Sequence, residues 1–290
     1  MEAGLPARLT RTGPAPKPGI VQLGPGAFFR AFLAQYTHDA MAAERGDWGI
    51  VAASLRSPAA RDQLQPQGGV YTAVTLGPGG EETRQITSVT EVLVAPEDPA
   101  ALVARMADPA IRIVALTVTE KGYCHDPATG RLNLAHPDIA SDLADINAPI
   151  SVPGFLVAGL RARRAAGVAP FTVVSCDNLP SNGPLVRGMV LEFARALDPD
   201  LATWIEDTAA FPATMVDRIT PATTPEDLDR YAVELGYRDE GLVVHEPFSQ
   251  WVIEDRFPLG RPNWDAAGAQ MVTSVEAHES MKLRMLNGTH

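Results

Sequence analysis

The apolar positions of the chain fall into short runs with two different periods. Gly19–Gly24 is a near-continuous apolar run ended by glycine, the pattern of a strand buried on both faces. After Gly24-Pro25-Gly26 the period changes. Phe28, Phe32, Leu33, Tyr36 and Ala40 recur at helical spacing, and Gly46-Asp47 closes that helix. Trp48–Ser54 reads as a second strand, completing strand, glycine turn, helix and strand, the opening unit of a parallel sheet. Val70–Thr75 and Arg84–Val89 are β-rich runs around GPGGEE and predict an inserted hairpin. Ile111–Thr119 and Phe171–Ser175 predict central strands, and Gly241–His245 a further one. Helices are expected over Pro99–Ala107, Gly154–Ala166, 184–197, 199–209 and 276–290, with loop over 121–150 and a loose lead-in over 1–18. Gln270–Val275 is short and apolar. Strands alternating with helices argue for an α/β fold.

Composition narrows the function classes. The 290 residues carry 24 basic against 35 acidic side chains, a formal charge of −11. Such a surface repels phosphate backbones, so nucleic acid is not an expected partner. No run of about 18 apolar residues occurs, so no membrane span is expected. Two cysteines, Cys124 and Cys176, make no disulfide framework and suit a reducing, cytoplasmic setting. The six histidines form no HExxH or cysteine-paired cluster, so no metal is expected.

Three stretches carry candidate chemistry. Gly24-Pro25-Gly26 stands where a dinucleotide turn would stand. A tight turn there brings backbone and a helix N-terminus against a pyrophosphate. Phe29 occupies the third glycine position of that pattern, and glycines at a strand–helix junction also serve purely structural ends. After the second strand, Arg56 replaces the acid that would hold a ribose hydroxyl; it suits a 2′-phosphate, or is a solvated loop arginine. Ser175-Cys176-Asp177-Asn178 follows an apolar strand, where polar groups face the crevice of an open sheet. Asn178 is a candidate oxyanion donor there, the alternative being an Asx turn.

The third stretch is the terminal helix. With Lys282 at zero and about 100° per residue, Glu279, His290 and Asn287 lie near about 60°, 80° and 140°. One helix face thus gathers a lysine that can serve as general base and polar groups to orient a hydroxyl or carbonyl, or is simply solvated. Asp217-Arg218 is either a structural ion pair or an ordered acid in a cleft.

Read together, IVQLGPGAFFRA (20–31), LTVTEKGYC (116–124), SCDNLPSNG (175–183), FPATMVDRITPATTP (211–225), EPFSQWVIED (246–255), GRPNWDAAGAQ (260–270) and KLRMLNGTH (282–290) resemble the polyol-specific long-chain dehydrogenase/reductase (mannitol dehydrogenase) family. TEKGYC and GRPNWDAAGAQ look most like its fructuronate reductase branch. The resemblance implies a Rossmann-like, mostly parallel sheet over 1–275 with the hairpin inserted. It also implies that 276–290 is the first helix of a helical substrate domain otherwise largely absent. The implied activity is NAD-dependent, metal-free hydride transfer between D-mannonate and D-fructuronate, with NADP open because of Arg56. Mannitol or another polyol is the alternative substrate, and a non-catalytic cofactor-binding fragment the alternative to an enzyme. By similarity Lys282 is the general base, Asn178 and Asn287 form the oxyanion pocket, and His290 orients substrate. Asp217 is a site aspartate, Glu279 relays the proton, and Gly24, Gly26 and Phe28 form the cofactor turn. Lys121 is the candidate cation for a sugar-acid carboxylate. The chain departs from the family where Phe32 follows Arg30-Ala31 in place of a histidine.

Overall fold

The computed structural model describes residues 6–288, with side chains described to Arg284. The chain runs β1 (Pro18–Leu23), α1 (Ala27–Ala31), α2 (Leu33–Ala43), β2 (Gly49–Ser54), α3 (Ala59–Leu64), β3 (Tyr71–Gly77), β4 (Gly80–Ile86), β5 (Val89–Val94), α4 (Pro99–Ala107) and β6 (Ile113–Leu116). It continues α5 (Thr119–Gly122), β7 (His125–Asp126), β8 (Arg131–Leu132), α6 (Pro137–Ala144), α7 (Val152–Ala165), β9 (Thr172–Ser175), α8 (Asn182–Leu197) and α9 (Pro199–Thr208). Last come β10 (Thr214–Asp217), α10 (Pro225–Leu235), β11 (Val243–His245), β12 (Gln250–Glu254), β13 (Gln270–Val272) and α11 (Glu276–Gly288).

The central sheet has five parallel strands in the order β5-β2-β1-β6-β9. The middle strand, β1, is buried along nearly its whole length. Alternate side chains enter two cores. Val21, Leu23, Val51, Val114 and Leu116 pack under α4, α7, α8 and α9 with mostly aliphatic partners. Ile20, Ile50, Ile113 and Val174 face an aromatic layer of Phe29, Phe32, Tyr36, Trp251 and Trp264. The order in which strands are added reverses between β1 and β6: β2 and β5 lie on one side of β1, β6 and β9 on the other. Loops following these two strands diverge there and leave a crevice at the carboxyl ends.

The expected parallel α/β sheet is present, with differences at its margins. Hairpin strands β3 and β4 extend inward to Gly77 and Gly80, so the turn is Pro78-Gly79 alone. The hairpin joins β11 in a separate three-stranded sheet, and the last residue of the expected Arg84–Val89 strand opens β5 in the central sheet instead. The stretch 121–150, expected as loop, holds β7, β8 and α6; Leu132, Ile139 and Ile146 bury there against the aliphatic core. Strands β10 and β12 were not expected and pair antiparallel. The described part of the lead-in is docked rather than loose, since Arg11 donates to the carbonyls of Gly68, Thr87 and Val89.

Candidate active site

Two cavities open at the crevice and share Gly26, Thr117 and Thr119 in their walls. The larger, about 820 Å³, runs along the ends of β1 and β2 past Gly24, Arg56 and Lys121. The smaller, about 450 Å³, lies beside Phe28, Asp177, Asn178, Asp217 and Lys282.

The glycine turn is held from below by one side chain. Gln22 in β1 donates its amide to the carbonyls of Leu23 and Gly24 and to Thr117 Oγ1, which in turn donates to the Gly24 carbonyl at 2.7 Å. Gly24 has φ +90°, and a Cβ there would sit 2.1 Å from the Thr117 carbonyl oxygen, so it is glycine for the protein's own sake. Gly26 differs. Its φ of −69° suits any residue, and a Cβ there meets nothing within 4 Å. Backbone conformation and packing leave that glycine unexplained; a ligand approaching the turn explains it. Backbone N–H groups of Ala27, Phe28 and Phe29 open α1 with no partner inside the helix. An open glycine beside free N–H donors fits a pyrophosphate, so the residues present fit a dinucleotide.

Arg56 lines this groove and makes no hydrogen bond or ion pair among the described residues. Lys121 lines it too and is not brought to the Lys282 cavity. Phe28 faces the smaller cavity and stacks on Phe32, ring centroids 4.9 Å apart. Phe32, the departure from the family's histidine, thereby starts the aromatic layer that backs the site.

Lys282 is half-buried and reaches from α11 to two other elements. Its Nζ donates to Asn178 Oδ1 after β9 and to the carbonyl of Val216 in β10, each at 3.1 Å, and lies 4.0 Å from Asp217 Oδ2. A lysine ammonium only donates, so the Asn178 oxygen must face it; among the described residues the Asn178 Nδ2 hydrogens have no acceptor and are donors at the cavity wall. One turn earlier, Glu279 Oε1 accepts from the Ser181 backbone at 3.0 Å. Both helix residues therefore clasp the loop after β9. Asp217 makes no ion pair with Arg218 among the described residues; it lines the smaller cavity beside Lys282. Arg218 also lines this cavity, and its guanidinium donates to the carbonyls of Ala31, Pro247 and Phe248. The side chain of Asn287 and the whole of His290 lie outside the described residues.

Sequence reasoning missed Gln22, Thr117, Thr119 and the anchoring part played by Asp177. One signal was available for Gln22: it is the only polar residue within an otherwise apolar strand segment, Ile20–Leu23. The threonines carry no such signal, because their importance lies in which strand ends beside them.

Residues 18–266 match the mannitol dehydrogenase Rossmann domain. The chain is 48% identical over 275 residues to D-mannonate oxidoreductase of Escherichia coli strain K12, covering 93% of this chain and 57% of that protein. It is 47% identical over 276 residues to mannitol 2-dehydrogenase of Cereibacter sphaeroides, covering 94% and 57%. Among solved structures, Pseudomonas fluorescens mannitol 2-dehydrogenase in ternary complex with NAD and D-mannitol superposes with TM-score 0.91 at 42% identity, covering 99% of this chain and 59% of that one. The chain thus spans somewhat over half the length of these relatives.

Proposed function

Given that the chain belongs to the mannitol dehydrogenase family, we propose that it is an oxidoreductase interconverting D-mannonate and D-fructuronate with NAD(H). The observation that carries this reading is the Lys282 amine, held between Asn178 and Asp217 in a cavity that shares a wall with the glycine-turn groove.

In the oxidation direction Lys282 takes the proton of the C5 hydroxyl, and in reduction it returns it to the carbonyl oxygen. The free amide hydrogens of Asn178 donate to that oxygen as negative charge grows on it, joined by Asn287. Asp217 accepts from a neighbouring substrate hydroxyl, His290 orients the sugar chain, and Glu279 passes the proton towards solvent. Gly26 and the first N–H groups of α1 receive the pyrophosphate. The bound nicotinamide supplies or accepts the hydride. NAD is the favoured form because the Pseudomonas fluorescens relative is described with NAD; Arg56 keeps NADP in play. Lys121, on the groove wall, is placed to meet the cofactor side before it meets a substrate carboxylate.

Identity alone does not separate the sugar acid from the polyol, since the two named relatives stand at 48% and 47%. The test is NADH consumption by the 290-residue chain with D-fructuronate and with D-fructose in parallel. Preference for fructuronate is the expected result. Preference for fructose makes it a mannitol 2-dehydrogenase, and NADH binding without turnover of either makes it a cofactor-binding fragment.

A further inference from the structure

Three non-glycine residues of the described chain have left-handed backbone, Thr119 (φ +64°), Cys124 (φ +53°) and Ser181 (φ +50°). All three lie on the loops that follow β6 and β9. For a β-branched residue such as Thr119 this conformation is strained and persists only where its surroundings enforce it. What enforces it is the carboxylate of Asp177. Its Oδ1 accepts from the Thr119 N–H at 2.9 Å and its Oδ2 from the Val118 N–H at 3.1 Å.

A side-chain network fixes that carboxylate in turn. Tyr123 OH lies 2.5 Å from Asp177 Oδ2 and 2.6 Å from Ser175 Oγ. An ionised carboxylate only accepts, so Tyr123 donates to it and Ser175 must donate to Tyr123. The Asp177 N–H closes the ring by donating to Ser175 Oγ. Asn182 then binds the carbonyls of Ser175 and Asp177 to Thr214 of β10. Tyr123 is fully buried and Asp177 nearly so.

We infer that Asp177 is a positioning residue for the reaction: it pins the strained Val118–Thr119 turn, which walls both cavities, to the strand end that presents Asn178 to Lys282. This rests on the proposed function for its meaning but not for its geometry. One carboxylate thus ties the wall shared by groove and cavity to the strand end that carries Asn178. Burial pushes the Asp177 carboxyl up from its ordinary range, and it keeps three donors aimed at it. No neutral side chain of the same shape accepts all three, because an amide turns its NH₂ towards at least one N–H or O–H.

The test uses the 290-residue chain with Asp177→Asn and, as a milder variant, Tyr123→Phe. Two readouts are followed, amide hydrogen exchange at Val118, Thr119 and Asn178, and NADH affinity by fluorescence titration. Expected are loss of protection at Val118 and Thr119 with β1 and β6 amides unchanged, and NADH binding weakened by about tenfold in Asp177→Asn and about threefold in Tyr123→Phe. Unchanged protection at Val118 and Thr119 in both variants overturns the inference, as does lost protection with unaltered NADH affinity. Should the unmutated chain itself not bind NADH, the cofactor reading fails. Exchange then decides alone whether Asp177 pins the turn. A drop in protection spread evenly over the central sheet in Asp177→Asn, with Tyr123→Phe like the unmutated chain, marks a merely structural role and also overturns the inference.

Discussion

The two cavities at the crevice are built in different ways. In the larger groove the candidate phosphate-binding part is one stretch of consecutive backbone, Gly24, Pro25 and Gly26, while the rest of the wall comes from the ends of β2 and β6 and from 136–152, with Arg56 and Lys121 among its side chains. The smaller cavity takes each functional group from a different element, Lys282 from α11, Asn178 from the end of β9, Asp217 from β10 and Phe28 from α1. A site of backbone is robust to most side-chain changes and vulnerable to an added Cβ. A site assembled from four elements is vulnerable at each side chain and at whatever holds the elements in register.

The largest effect separating the two belongs to Lys282. Lys282→Met keeps the stem and removes the amine. Turnover in the NADH-consumption assay is expected to fall by about 10³-fold while NADH affinity changes by less than about threefold. A matching loss of NADH binding would mean that the cavities are not functionally separate. Next is Asn178→Ala, which removes the free amide donor and the Lys282 contact. A loss of about 10²-fold in kcat is expected, and kcat within about threefold of the unmutated chain would remove Asn178 from the oxyanion role.

The two glycines divide the groove itself. Gly24→Ala forces a side chain onto the Thr117 carbonyl at a positive φ, so thermal unfolding should show a loss of about 2 kcal/mol or more. Gly26→Val meets open space, so the midpoint should hold while NADH binding weakens by about tenfold. If Gly26→Val binds NADH normally, the open glycine is not reserved for the cofactor. The smallest effect is expected at Arg56. Arg56→Ala should leave NADH affinity within about threefold and lower NADPH affinity more, by about tenfold, if the guanidinium meets a 2′-phosphate. Equal small changes for both cofactors would make it a solvated loop arginine.

How much of this was legible follows from the same contrast. The glycine turn is contiguous, and local rules find it: an apolar run, a glycine break, a helical period. The groups of the smaller cavity were found one motif at a time, and nothing in their spacing said that Lys282 would reach Asn178, 104 positions away. Strands β10 and β12 escaped because TMVD and QWVIE are short and lie between proline-rich stretches, and only pairing with each other makes them strands. Residues 137–144 escaped because polar residues interrupt their apolar spacing. Ile139 and Asp142 are nonetheless buried, and Asp142 there accepts from Ile150 and Ser151.

By itself the sequence determined the α/β class, since continuous apolar runs and stretches of period 3.6 alternate along it and a right-handed crossover admits few other arrangements. It determined the glycine turn as well, because that conformation is a property of adjacent residues. Only the tertiary structure decided which strand ends became neighbours. The reversal between β1 and β6 brings Thr117 against Gly24 and puts Thr119 in the same cavity walls as Gly26, and the packing of α11 on the β9 loop brings Lys282 to Asn178. It also decided that Asp217 would lie beside Lys282 while Arg218, on the same cavity wall, would donate to backbone carbonyls. The physical reason is that a hydrogen bond or an ion pair depends on distance in space. Sequence patterns report burial and backbone conformation, which are local; the meeting of two distant polar groups is settled by how the buried faces pack.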